Sequence, residues 1–121
     1  MNDNPTLSDL ESRWKNALSA TQSAVRRHPE VYSQIKSLAH RIITQPLDIN
    51  DYFSTAQKLS HLLEAMDPDN KGSIFFYFNR RIRPSTVRQV PFLRMECRDL
   101  LAHLSEFDDW RRKSHRLKII S

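Results

Sequence analysis

Glycine is almost missing from this chain: among 121 residues the only one is Gly72. Hairpin turns and bulges draw on residues that tolerate positive φ, so a β-sandwich or barrel is excluded. The same shortage excludes phosphate loops and dinucleotide fingerprints, in which several glycines let backbone approach phosphate. Most nucleotide-binding enzymes go with them. Cysteine is as scarce. Cys97 alone leaves no intramolecular disulfide and no multi-cysteine zinc site, which fits a reducing compartment. Long apolar runs are also lacking. The longest, Ile74 to Phe78, falls far short of the about 20 residues of a membrane span. The start Met-Asn-Asp-Asn-Pro has neither the basic residues nor the apolar core of a signal peptide. Together these absences point to a cytoplasmic protein with no membrane contact.

What is present suits helices. Hydrophobic residues make up 39% of the chain and the mean hydropathy is −0.62. Several helices, each with one apolar stripe and a wide polar face, have such a composition. At this length the chain is one domain, large enough to bury a core without metal or disulfide.

The stripes can be followed along the sequence. Ser8 and Glu11 have capping-box spacing, and Leu10, Trp14, Ala17, Leu18, Thr21 and Val25 follow at helical steps. These predict a helix from about Ser8 to Arg27, after a flexible segment 1–7. Pro29 suits the first position of a second helix, with the stripe Val31, Ile35, Leu38 and Ile42, ended by Pro46. Asp48 or Asn50 caps a third, carrying Tyr52, Phe53, Ala56, Leu59, Leu62, Leu63 and Met66. After the loop Asp67 to Gly72, Ile74, Phe78 and Ile82 recur every four residues, so a fourth helix is expected over Ser73 to Arg83. The run Phe75 to Phe78 would also suit a buried strand, but no partner strand is evident. Pro84 and Pro91 bracket a short link. A long helix then spans about Pro91 to Lys113 on Leu93, Cys97, Leu100, Leu104, Phe107 and Trp110, followed by a loose tail, 114–121. The expectation is an all-α, single-domain bundle of about five helices over 1–121, with the aromatic fourth helix at its centre.

Chemistry-bearing patterns are few. The loop from Asp67 resembles the start of a calcium-binding EF-hand loop at Asp67, Asp69, Gly72 and Ile74. Lys71 stands where an oxygen ligand is needed, however, and Phe78 where a bidentate Glu should close the site. His61 and Glu64 share a helix face, but no other segment supplies a matching pair for a di-metal site. Cys97 falls on the apolar stripe of the last helix, where a thiol is inert. Asp108 and Asp109 point in different directions, with Arg111 to Lys113 one turn away, which is ordinary charge pairing. No enzyme, cofactor or metal is therefore expected.

The charge is uneven. Residues 1–70 carry seven Lys/Arg against nine Asp/Glu, whereas residues 71–121 carry twelve against five, and nine of those twelve cations are arginine. A basic half of this kind points to a polyanionic or acidic partner. Arg80, Arg81, Arg83, Arg88, Arg94 and Arg98 form one series. Arg111, Arg112, Lys113, Arg116 and Lys118 form a second, which the macrodipole at a helix C-terminus would also favour. Arginine pairs bidentately with phosphate, and Phe76 and Tyr77 offer stacking surfaces if exposed. The first expectation is thus a small accessory protein that binds nucleic acid with little sequence preference. A helix-turn-helix reading fails because the third helix presents only Lys58 as a cation. The alternative is a protein-interaction module — adaptor, secretion chaperone or inhibitor — in which the arginines dock an acidic partner and the aromatics anchor it. The opposite charges of the two halves also permit a homodimer.

Overall fold

The computed structural model describes residues 6–83 and 89–120, with backbone only for 49, 50 and 114–120. Five helices account for almost all of it, and no strand occurs among the described residues. They are α1 (Leu7–Arg27), α2 (Pro29–Thr44), α3 (Ile49–Met66), α4 (Ile74–Arg81) and α5 (Val90–Ile120).

Each boundary has a local cause. The capping box of α1 is made by Thr6 and Asp9, not by Ser8 and Glu11: the Thr6 hydroxyl accepts from the Asp9 N–H, and the Asp9 carboxylate accepts from the Thr6 N–H. Thr6 and Leu7, expected in a flexible segment, therefore belong to an ordered helix start. The α1–α2 junction is His28 alone, with Pro29 opening α2. Helix α2 stops at Thr44, ahead of Pro46, and there Arg94 of α5 intervenes. Its guanidinium donates to the carbonyls of Ile42 (3.1 Å) and Gln45 (3.0 Å), so a side chain from another helix satisfies carbonyls that a helix end leaves unpaired. Helix α3 starts after Asp48, whose carbonyl accepts from the Asp51 and Tyr52 N–H groups.

The α3–α4 loop is built around one carboxylate. Asp67 is buried and accepts from the Lys71 N–H (2.8 Å), the Ser73 N–H (3.1 Å) and the Ser73 hydroxyl (2.6 Å). Asn70 and Gly72 take the positive φ angles, 57° and 81°, that turn the chain back. Ser73 then caps α4 by accepting from the Phe76 N–H. The likeness to a calcium loop thus has a different use, because the oxygens of its first acidic residue are occupied by the loop's own donors. Thr21 of α1 adds a tie: its hydroxyl accepts from the Ile74 N–H (3.0 Å) and donates to the Ala17 carbonyl (2.6 Å).

The aromatic run is helical and central. Phe75 and Phe78 are fully buried in the one core cluster that also holds Ile35, Leu59, Leu63 and Leu104. Buried Ser60 donates to buried Asn79 across α3 and α4 (3.0 Å), so both amphipathic groups have a partner. Helix α5 runs the length of the bundle and, at 31 residues, extends past its expected end at Lys113. Toward the start of α2 it is fastened through Asp108, which accepts from the Tyr32 hydroxyl (2.9 Å), Lys36 (2.8 Å) and Arg111 (3.2 Å). The Lys36 and Arg111 cations also lie over the Tyr32 ring. Trp14 and Trp110 pack at the core edge. Two residues expected on apolar stripes are instead exposed: Leu10 of α1 and Phe53 of α3. No helix among the described residues is long and apolar enough to cross a membrane.

Candidate interaction surface

The arginine series does not lie on one face. Arg81 of α4 reaches one flank of α5 and pairs there with Glu96 (2.8 Å) and Asp99 (3.0 Å). Its guanidinium also donates to the Tyr77 hydroxyl (3.0 Å). Glu96, Asp99 and His103 follow at steps of three and four, which defines that flank. Arg94 caps α2 from another flank, and Arg98 lies one turn beyond it. In the second cluster Arg111 is held by Asp108 and the Phe107 ring, and Arg112 pairs with Asp109. Arg80, Arg83, Arg98 and Lys113 are exposed and have no ion-pair partner among the described residues. Arg88 and the side chain of Arg116 lie outside the described residues.

The two aromatic candidates separate. Phe76 is half-buried. Tyr77 is 53% exposed and stands edge-on to Phe78 at 5.2 Å. It forms one lip of an apolar groove of about 490 Å³ between α1 and α4. Leu10, 49% exposed, forms the opposite lip. Trp14 and Ala17 continue the α1 wall, and Phe78 with His103 forms the floor. His103 is fixed there by ring-edge contacts to Trp14 (5.8 Å) and Phe78 (5.3 Å) and by its Nδ1, 2.8 Å from the Asp99 carbonyl.

The electrostatics of this groove are one-sided. Its lining includes Arg13 but no carboxylate among the described residues. The nearby Glu96 and Asp99 are engaged by Arg81, and Asp9 by the capping box. Arg13 therefore places a cation without an ion-pair partner among the described residues beside exposed apolar surface. The sequence reading missed Leu10 as a surface residue, because a stripe tells which side of a helix faces inward but not how far along the helix the core extends.

Other chemistry-bearing residues are not gathered into a site. Cys97 is fully buried on α5, and burial, with the neighbouring Glu96 charge, pushes its thiol up to about 12. A thiol so protonated is a poor nucleophile. His61 and Glu64 are exposed on α3. Among the described residues no three His, Cys, Asp or Glu side chains cluster as a metal site would require. No family model, no curated protein and no solved structure matches this chain.

Proposed function

We propose that this chain is a small, non-enzymatic, cytoplasmic protein-interaction module that docks an acidic partner protein through its α1–α4 face. The observation that carries the reading is the groove itself, with Leu10 and Tyr77 half-exposed on its lips and Arg13 as the charged side chain of its wall. Exposed apolar anchors beside an arginine match the make-up of protein interfaces, in which a few large side chains carry most of the affinity. Binding nucleic acid is the second reading. It draws on Arg80, Arg83, Arg98 and Lys113, which are exposed and unpaired. It is the weaker of the two because Arg81, Arg94, Arg111 and Arg112 are already engaged by carboxylates or carbonyls within the fold.

Two binding series separate them. Labelled single- and double-stranded oligonucleotides are titrated by fluorescence anisotropy across a salt series, and a displayed library of random peptides is selected on the wild type and on Leu10→Ser. The protein reading expects acidic, aromatic- or leucine-bearing peptides that depend on Leu10, with only weak oligonucleotide binding. Steeply salt-dependent oligonucleotide binding, lost on joint Arg80→Ser, Arg83→Ser and Arg98→Ser substitution, would replace it with the nucleic-acid reading.

A further inference from the structure

We infer that the occupant of the α1–α4 groove is an amphipathic α-helix of the partner with an acidic flank, not an extended segment; this rests on the docking reading above. The first support is the nature of the walls. Apart from the Gly72–Ser73 turn, both are helices, Leu7–Arg27 and Ile74–Arg81, whose interior N–H and C=O groups bond within their own helix. The groove therefore offers no open strand edge. An extended peptide laid there would desolvate its backbone against apolar rings with nothing to pair with, which is costly. A helix brings its backbone already hydrogen-bonded, and needs only an apolar stripe to fill the groove.

Spacing agrees. On α1, Leu10, Trp14 and Ala17 stand at steps of four and three, a wall of two turns, about 10 Å along the axis. On α4 the exposed part of the wall is Tyr77, with Ile74 and Phe78 buried beneath it. Side chains at i, i+3, i+4 and i+7 of an incoming helix have the same period as the α1 wall and interdigitate with it. The charge supplies the occupant's second property. Arg13 lines the groove without an ion-pair partner among the described residues, and no carboxylate lines it. A helix with Asp or Glu beside its apolar stripe compensates this cation. A basic or neutral helix leaves it unpaired.

The test uses the full chain and a displayed library of random peptides about 16 residues long, enough for four helical turns. Enriched peptides are expected to carry apolar residues at helical spacing with flanking Asp or Glu. They should gain helical circular dichroism on binding and lose about tenfold or more in affinity with a central proline, which breaks a helix. Arg13→Glu should weaken them similarly, and Leu10→Ser should do so with little change in melting temperature, since Leu10 is half-exposed. Enriched peptides that need Leu10 but tolerate the central proline would overturn the helical inference and leave the docking reading intact. Peptides indifferent to Leu10 and Tyr77, or no enrichment at all, would overturn both. A concentration-dependent dimer abolished by Leu10→Ser would make a second copy of the chain the occupant and also overturn the inference.

Discussion

Asp67 shows how a residue with a suggestive pattern acquires a structural role. Its carboxylate is enclosed at 3% exposure with three donors of its own loop around it. Removing it leaves the buried Ser73 N–H and hydroxyl unsatisfied. Asp67→Ala should lower stability by about 2–3 kcal/mol in urea unfolding. Millimolar calcium should leave the wild-type melting temperature unchanged. Cys97 gives a second outcome at this scale. With its thiol held up to about 12 by burial, it should resist Ellman's reagent in the native state at mildly alkaline pH and react fully after unfolding. The sign for stability follows: the folded state favours the protonated thiol, so its contribution is complete below the ordinary thiol range and is lost as pH rises toward 12. Tyr32 shifts in the same direction, through burial first and the hydrogen bond to Asp108 second. Alkaline unfolding above about pH 10 should accordingly be blunted in Tyr32→Phe relative to wild type.

Between elements, two side chains of α5 do most of the fastening to α2. Arg94 closes the C-terminus of α2, and Asp108 gathers Tyr32, Lys36 and Arg111 at the other end of the contact. Asp108→Ala should cost about 2–3 kcal/mol, because it strips a mostly buried tyrosine of its partner and leaves two cations facing each other. Arg94→Ala should cost about 1–2 kcal/mol as a lost cap and leave groove binding unchanged. The helices themselves were legible from periodicity: α2 and α5 follow their stripes, and the aromatic run resolves as a helix because Ser73 caps it and Thr21 and Ser60 pair with its Ile74 N–H and Asn79 side chain. The start of α1 was not, since Ser8–Glu11 and Thr6–Asp9 satisfy the same capping pattern and only the fold selects the earlier pair. Arg94 could not be read either. A cation on a helix surface carries no local sign that it will reach a carbonyl 49 residues away in the chain.

At the scale of the whole molecule, the basic half proves to be several surfaces. Counting arginines reveals the excess of positive charge but not its distribution. Carboxylates from α5 claim Arg81, Arg111 and Arg112, and backbone carbonyls claim Arg94. In the α1–α4 groove Arg13, which has no ion-pair partner among the described residues, meets exposed Leu10 and Tyr77. That coincidence of apolar lips and unpaired charge is the basis for a docking face there, and amide chemical-shift mapping tests its place most directly. On titration with an enriched acidic peptide, the largest shifts are expected in residues 10–17 and 73–78. Shifts concentrated in 80–83, 94–98 and 111–113, with 10–17 unmoved, would contradict it.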